Sequence, residues 1–272
     1  MLTEVFPIQV EGSQPGAKLC TYIIEASDEL AIKKRPLILL CPGGGYQWTS
    51  DREAEPLALR FLAMGYHVAV LRYSCAPAVY PTALLEISQA MKLIHDYAEE
   101  WNVEEDKIFV QGCSAGGHVA ASLGVFWQEE WLAKQTGVSN EVIRPAGLIL
   151  CYPVITSGEY AHRGSFENLL AGQYTEEMLE RVSLEKQVTE HMPPVFLWHT
   201  YTDDTVPVEN SLFLVQAMKK YDIPAEFHMY PVGGHGLSTC DEQAACEGGY
   251  GVQVECQSWL PLVQTWLAGR CK

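Results

Sequence analysis

The chain has 272 residues, with 18 lysines and arginines against 34 aspartates and glutamates, so its formal net charge is −16 at pH 7. Hydrophobic residues make up 48% and charged residues 19% of the chain, which is ordinary for a globular protein and excludes predominant disorder. The acidic excess excludes a nucleic-acid platform, which needs clustered Lys and Arg, and disfavours an anionic membrane surface. No apolar run reaches the ~20 residues that a membrane-spanning helix needs.

The cysteines favour free thiols over a disulfide framework. Their number, nine, is odd, and most of them lie within apolar strand-like runs, as expected in a reducing compartment. Cys240, Cys246 and Cys256 cluster without a CxxC pair or a matching histidine spacing, so we expect no metal site. The N-terminal residues lack the basic region and the continuous apolar stretch of a secretory signal, so we expect a cytoplasmic protein.

Short apolar runs alternate with longer amphipathic stretches along most of the chain. This alternation predicts an α/β fold, with a mostly parallel, doubly wound sheet of about eight strands and helices on both faces. The predicted strands are Leu19–Glu25, Pro36–Cys41, His67–Tyr73, Lys107–Gln111, Gly147–Tyr152, Pro194–Thr200 and Ala225–Tyr230. The first residues are expected to add antiparallel edge strands. The predicted helices are Glu53–Met64, Pro81–Trp101, Ala115–Phe126, Val208–Tyr221 and Gln257–Leu267.

One interval interrupts the alternation. Between the strands that end near Tyr152 and begin at Pro194 lie about forty residues of mixed polarity, and connections of that length are usually functional or contain helices of their own. Short helices are predicted at Tyr174–Arg181 and Ser183–Val188. We therefore expect residues 1–272 to form one domain with a small helical cap inserted at about 155–192; a helical crossover with an irregular loop is the alternative.

The strongest motif is Gly112-Cys113-Ser114-Ala115-Gly116-Gly117, between a predicted strand and a predicted helix. A G-x-S-x-G sequence in this context indicates a sharp turn that exposes the serine above the sheet. Glycines at both flanks remove Cβ atoms that would clash in such a turn. The amides at the start of the following helix face any anion that develops at the serine.

A glycine-rich segment, Pro42-Gly43-Gly44-Gly45-Tyr46, follows the predicted strand Pro36–Cys41. Successive glycines let the backbone approach a ligand and present its N–H groups. The segment lacks the Lys-Ser/Thr ending of a P-loop and the spacing of a dinucleotide fingerprint. Together with the serine turn, it is typical of half an oxyanion hole.

Two further polar groups follow strands later in the chain. Asp203 lies just after the strand Pro194–Thr200, where a carboxylate reaches the ligand-binding edge of a parallel sheet. His235 lies between glycines after the strand Ala225–Tyr230, a position that core packing explains poorly. The order serine, aspartate, histidine is the one that α/β-hydrolases use.

In this order, the four motifs resemble those of α/β-hydrolases of the carboxylesterase/acetylesterase kind. The chain is similar to the small hormone-sensitive-lipase-like and xylan-esterase-like esterases from Pro36 to about Leu237, and Arg72-Tyr73 also fits their pattern. The resemblance implies the α/β-hydrolase fold. It also implies Ser114 as the nucleophile, His235 as the general base and Asp203 as the acid that orients the histidine.

In the same way, the resemblance implies an oxyanion hole formed by the backbone amides of Gly44, Gly45 and Ala115. Many relatives have a histidine before the three glycines, where this chain has Pro42. Because the donors are backbone groups, the substitution is compatible with function.

Several neighbouring residues are alternatives to these assignments. Asp204 is adjacent to the favoured acid, and we expect it instead to form an Asx-type turn toward Val206. Cys113 is expected to pack beneath the serine turn and His118 to pack or cap within its helix. Four side chains are predicted to contact substrate: Tyr46, Trp48, His162 and His199.

The function implied by the resemblance is a serine carboxylesterase that hydrolyses short-acyl esters, with acetyl favoured, of small neutral substrates such as sugars. The resemblance implies no metal and no organic cofactor. A homo-oligomer is compatible with the sequence. Alternatives on the same fold are a prolyl-oligopeptidase-like peptidase, a non-enzymatic ligand-binding protein, and a lyase or dehalogenase, because fold alone does not determine function.

Overall fold

A computed structural model describes residues 1–172 and 174–271 of the chain. Its strands are β1 (Leu2–Pro7), β2 (Lys18–Ile23), β3 (Arg35–Cys41), β4 (His67–Arg72), β5 (Val103–Cys113), β6 (Gly147–Cys151), β7 (Val195–Thr200) and β8 (Ala225–Tyr230). Its α-helices are α1 (Glu55–Ala63), α2 (Thr82–Asp96), α3 (Ala98–Trp101), α4 (Ser114–Phe126), α5 (Glu130–Thr136), α6 (Asn140–Ile143), α7 (Arg163–Leu169), α8 (Glu176–Val182), α9 (Glu209–Lys219) and α10 (Trp259–Arg270). Short 3₁₀ helices span Asp51–Glu53, Leu184–Lys186 and Val254–Cys256.

The strands form one sheet in the order β1-β2-β4-β3-β5-β6-β7-β8. The strands from β4 to β8 in this order are parallel, whereas β2 pairs antiparallel with both β1 and β4. The predicted parallel sheet with antiparallel strands at one edge is therefore confirmed. Parallel strands place their carboxyl ends at one edge of the sheet, where ligand sites usually form.

The central strands are apolar throughout because both faces of the sheet are covered. In β3, Leu37 and Leu39 join the core on the face of α2, α4 and α9, whereas Ile38 and Leu40 join the core on the face of α1 and α10. Strands β6 and β7 are buried along their whole length. This double burial explains why the sequence shows continuous apolar runs rather than alternation.

Some boundaries differ from the predicted ones. The predicted helix Pro81–Trp101 is interrupted at Tyr97, whose backbone (φ −101°, ψ 5°) leaves the helical region between α2 and α3. Strand β5 begins at Val103 rather than Lys107, because its first half contains charged residues that conceal the strand pattern. Helices α5 and α6 are too short for their hydrophobic periodicity to be recognised.

The interval between β6 and β7 contains α7, α8 and the 3₁₀ turn Leu184–Lys186. Helix α8 overlaps most of the predicted helix Tyr174–Arg181. The predicted helix Ser183–Val188 is shorter in the structure and consists only of that 3₁₀ turn. Helix α7, which the sequence did not predict, packs Phe166 and Leu169 into the core. Among the described residues, none of the helices has the length and apolar character required to cross a bilayer.

The turn between β5 and α4 determines where Ser114 lies. Strand β5 ends at Cys113, and α4 begins at the next residue, with Ser114 in a left-handed backbone conformation (φ 52°). An ideal Cβ on Gly116 would lie 2.0 Å from the carbonyl oxygen of Cys41, and one on Gly112 would lie 2.2 Å from the carbonyl oxygen of Gly116. Only glycine permits this close approach of α4 to the end of β3.

Replacing Gly116 with alanine should therefore destabilise the protein by more than about 2 kcal/mol, because backbone atoms must move to accommodate the methyl group. The matched control is Gly269→Ala in α10, where an added Cβ meets no atom within 4 Å. There the better helix propensity of alanine should raise stability by up to ~1 kcal/mol. Urea unfolding followed by circular dichroism measures both, and equal stabilities for the two variants would contradict the close-contact interpretation.

Candidate active site

Three side chains predicted from separate motifs meet at the carboxyl edge of the sheet. Ser114 begins α4, Asp203 follows β7, and His235 follows β8. His235 Nδ1 lies 2.7 Å from Asp203 Oδ2, and His235 Nε2 lies 2.7 Å from Ser114 Oγ. Because a carboxylate can only accept, Nδ1 carries the proton and Nε2 is left to accept the serine hydroxyl proton.

Hydrogen bonds to both of its oxygens stabilise Asp203 as an anion. Its Oδ1 accepts hydrogen bonds from the amides of Thr205 (3.0 Å) and Val206 (2.9 Å), and His199 Nε2 lies 3.3 Å from its Oδ2. Burial alone would raise the pKa of Asp203, but the hydrogen bonds from His199 and His235 outweigh it and hold the pKa well below the usual range of a carboxyl.

The adjacent carboxylate has a different environment. Asp204 is exposed, and its only side-chain hydrogen bond within the described residues is from the hydroxyl of Thr205 (3.4 Å). The expected Asx-type turn toward Val206 is formed by Asp203, so its assignment to Asp204 was wrong. A single carboxylate makes both sets of bonds because one oxygen accepts from the loop amides and the other from His235.

The loop that contains His235 is fixed by side chains that the local sequence pattern did not reveal. Tyr250 donates to the His235 carbonyl (2.6 Å), and Thr202 donates to the Gly233 carbonyl (2.9 Å). The ring of Tyr152 packs edge-on against the imidazole, with the ring centres 5.1 Å apart. Tyr152 lies far from His235 in the sequence, and Tyr250 belongs to no recognisable motif. No sequence signal therefore pointed to either residue.

The glycine-rich segment lies beside Ser114 with two amides available. Gly44 (φ 129°) and Gly45 (φ 62°) have backbone conformations that favour glycine, and both line the same pocket as Ser114. Within the part of the chain that the structure describes, neither of their N–H groups donates a hydrogen bond. The amide of Ala115, in the first turn of α4, also has no acceptor there, as is usual at a helix N-terminus.

These groups open onto a pocket of about 460 Å³. Trp48, which is 58% exposed, lines it together with His162 and Asn168 from the segment before β7. Two of the four residues predicted to contact substrate, Trp48 and His162, therefore line this pocket. His162 Nδ1 lies 2.8 Å from Ser165 Oγ. Burial, together with the nearby His235, lowers the pKa of His162, which favours a neutral imidazole.

Two other predicted contacts lie away from the pocket. Tyr46 is buried, and its hydroxyl donates to His118 Nδ1 (2.8 Å), while His118 Nε2 donates to the Val182 carbonyl (2.9 Å). Burial lowers the pKa of His118 to about 4, as expected for a neutral packed histidine. His199 is fully buried behind Asp203. Tyr46 and His199 therefore support the site from the core, and the expectation that they touch substrate is wrong.

Cys113, adjacent to Ser114, points away from the pocket. Its side chain is fully buried, and Gln111 Nε2 donates to its sulfur (3.1 Å). Burial raises the pKa of the thiol well above its ordinary value, so the reactive thiolate is suppressed. The packing interpretation of Cys113 agrees with this environment.

Similarity to known proteins points to the same esterases that the sequence motifs resemble. The chain is 37% identical over 216 residues to endo-1,4-beta-xylanase B of Butyrivibrio fibrisolvens, an alignment that covers 77% of this chain but only 34% of that relative. The chain thus spans about a third of that relative's length. An acetylxylan esterase of Xylanibacter ruminicola is 27% identical, with 72% of this chain and 40% of the relative covered.

Among solved structures, the acetyl ester-xyloside bifunctional hydrolase from Caldicellulosiruptor lactoaceticus superposes with a TM-score of 0.81 at 33% identity, covering 93% of this chain and 88% of the other. These similarities confirm the predicted α/β-hydrolase fold and the resemblance to carboxylesterases and acetylesterases. The BD-FAE family model matches residues 27–218, from before β3 to the last turn of α9. The chain belongs to the BD-FAE family.

Proposed function

We propose that the chain is a serine carboxylesterase that hydrolyses short-acyl esters through a covalent acyl-enzyme. The observation that supports this most strongly is the continuous hydrogen-bond relay from Asp203 through His235 to Ser114, beside the pocket. A nucleophile, a base and an orienting acid within hydrogen-bond distance are the requirements of acyl transfer. The esterase names of its relatives are consistent with this chemistry.

In the proposed reaction, Ser114 Oγ attacks the ester carbonyl while His235 Nε2 takes its proton. The anionic Asp203 stabilises the imidazolium that forms, and its depressed pKa keeps it charged throughout. The imidazolium then returns the proton to the leaving alcohol. Water attacks the acyl-serine by the same route and regenerates the free hydroxyl.

The developing oxyanion is stabilised by the amides of Gly44, Gly45 and Ala115. All three lack acceptors within the described residues and flank the serine. Each such donor contributes roughly 3–4 kcal/mol to transition-state stabilisation where it has been measured. Because the amides are fixed by the fold, they require no reorganisation during the reaction.

We infer a small, neutral and hydroxylated substrate, such as an acetylated sugar. Trp48 offers a flat apolar surface, while the Asn168 side chain and the imidazole of His162 offer polar groups across the same pocket. This is consistent with the acetyl ester activity in the name of one solved relative. The net charge of −16 disfavours polyanionic partners such as nucleic acids.

A cytoplasmic location is part of the same proposal. All nine cysteines lie in the described part of the chain and are free thiols, which suits a reducing compartment. The division into one domain with a cap at about 155–192 likewise remains our interpretation of the segment between β6 and β7, which contributes His162, Gly164 and Asn168 to the pocket.

Ser114→Ala should abolish hydrolysis of 4-nitrophenyl acetate, with kcat reduced on the order of 10⁶-fold, because the acyl acceptor is lost. Cys113→Ala is the matched control from the adjacent position and should retain activity, since the thiol is buried. Circular dichroism establishes that both variants fold. Residual activity above a few per cent in folded Ser114→Ala would contradict the assignment of the nucleophile.

Asp203→Asn should reduce kcat by about 10⁴-fold, because an amide cannot stabilise the imidazolium and favours the wrong histidine tautomer. Asp204→Asn should be nearly neutral, since its side chain is exposed and does not touch His235. Steady-state rates of the two variants with the same ester decide between the adjacent acids. A larger loss at Asp204 would reverse the assignment.

The enzyme should prefer acetyl and other short acyl groups. The pocket of about 460 Å³ also has to hold the alcohol portion, and its lining includes the polar side chains of His162 and Asn168. Values of kcat/KM for 4-nitrophenyl esters from acetate to decanoate should therefore be highest at the shortest chains. A maximum at octanoate or longer would indicate a lipase instead.

A further inference from the structure

Glu53 is a buried carboxylate next to Ser114 that the proposed reaction does not use. It ends the 3₁₀ helix Asp51–Glu53, its side chain is almost inaccessible, and it borders the same pocket as Ser114 and His235. A buried carboxylate loses the hydration that stabilises its charge, and neutral donors offset this cost only in part. Such a group therefore requires an explanation beyond packing.

One oxygen of Glu53 fixes the glycine-rich segment. Its Oε2 accepts a hydrogen bond from the Gly43 amide (2.8 Å). The carbonyl of the same peptide unit, at Pro42, accepts a hydrogen bond from the Tyr73 hydroxyl (2.7 Å). The Pro42–Gly43 peptide plane is thus held from both sides, and the chain enters the segment of Gly44 and Gly45 from this fixed plane. Within the segment, the carbonyls of Gly43 and Gly44 accept from the amides of Ser50 (2.8 Å) and Gln47 (3.0 Å).

The other oxygen connects this segment to the loop of His235. Glu53 Oε1 accepts from the Tyr152 hydroxyl (2.7 Å), and the Tyr152 oxygen in turn accepts from the Ser238 amide (2.9 Å). Ser238 lies three residues after His235, against whose imidazole Tyr152 packs. One carboxylate therefore links the glycine-rich segment to the loop that contains His235.

The space where a side chain of Gly43 would lie is filled by its neighbours. An ideal Cβ there would lie 2.6 Å from Glu53 Oε2 and 2.9 Å from the Cβ of Ser114. The carboxylate and the nucleophile thus pack against the same face of this glycine. A shift of Glu53 would move the peptide plane relative to Ser114, and small displacements of this kind are costly in catalysis.

We propose that Glu53 is a positioning residue for the esterase reaction: it orients the Pro42–Gly43 peptide so that the amides of Gly44 and Gly45 face the oxyanion. This inference rests on the proposed function. Glu53 acts through the backbone and does not itself touch the reacting atoms. Its contribution should consequently appear in transition-state stabilisation rather than in substrate binding.

The test compares Glu53→Gln with Glu86→Gln, a matched control. Glu86 is also a fully buried carboxylate bound to neutral donors, the amide of Ser74 (2.6 Å) and the hydroxyl of Ser13 (2.7 Å), but it does not line the pocket. In Glu53→Gln only one of the two donors, Gly43 or Tyr152, retains an oxygen acceptor. The probes are 4-nitrophenyl acetate and phenylboronic acid, which forms a tetrahedral adduct on a reactive serine.

For Glu53→Gln we expect kcat to fall roughly 10- to 100-fold, less than the loss of a whole oxyanion donor, with KM little changed. The inhibition constant of phenylboronic acid should weaken by a similar factor. Glu86→Gln should change neither. If folded Glu53→Gln matched Glu86→Gln in both measurements, the positioning role would be refuted.

Tyr73→Phe provides an independent test, and it decides the question if Glu53→Gln does not fold. It removes the hydroxyl that holds the Pro42 carbonyl and leaves Glu53 in place. We expect a loss in kcat and in boronic acid affinity of the same direction, again with KM little changed; unaltered values would overturn the inference. A wild-type protein that hydrolyses no ester would instead refute the proposed function, and the inference with it.

Discussion

The close contact between α4 and the end of β3 is the constraint on which the site depends. Gly116 lies so near the carbonyls of Cys41 and Pro42 that a single methyl group would overlap both. This contact places Ser114 beside Gly43 and directs the first turn of α4 toward the glycine-rich segment. The nucleophile and the amides of Gly44 and Gly45 therefore directly follow two strands that are neighbours in the sheet, β5 and β3.

Two buried carboxylates near this contact, Asp203 and Glu53, differ in their hydrogen-bond donors. Asp203 has strong donors on both oxygens, and hydrogen bonds from two histidines keep it ionised despite burial. Among the described residues, Glu53 accepts hydrogen bonds only from neutral donors, one on each oxygen. The donors around Asp203 keep it charged, so that it can stabilise the imidazolium expected during proton transfer. The bonds of Glu53 hold the glycine-rich segment and the loop of His235 in place. Asp203 thus places negative charge next to His235, where positive charge would develop.

Much of the fold was predictable because its signals are local. Strands β3, β6 and β7 are covered on both faces and so appear as continuous apolar runs, and Ser114, Asp203 and His235 each follow a strand within a short motif. Tyr46 was misassigned because its left-handed backbone (φ 59°) turns the ring into the core, which residue type alone does not reveal. Glu53 was missed because its partner Tyr152 is 99 residues away, and pairings of that range leave no mark in one sequence.

The account depends centrally on a covalent intermediate at Ser114. The most direct measurement is mass spectrometry of protein quenched with acid during turnover of 4-nitrophenyl acetate, followed by peptide mapping. Formation of an acyl-enzyme predicts one acetyl group on the peptide that contains Ser114, which disappears when the ester is exhausted. Ester turnover with no acetylated peptide, or with the acetyl group on Cys113 or another residue, would contradict the account.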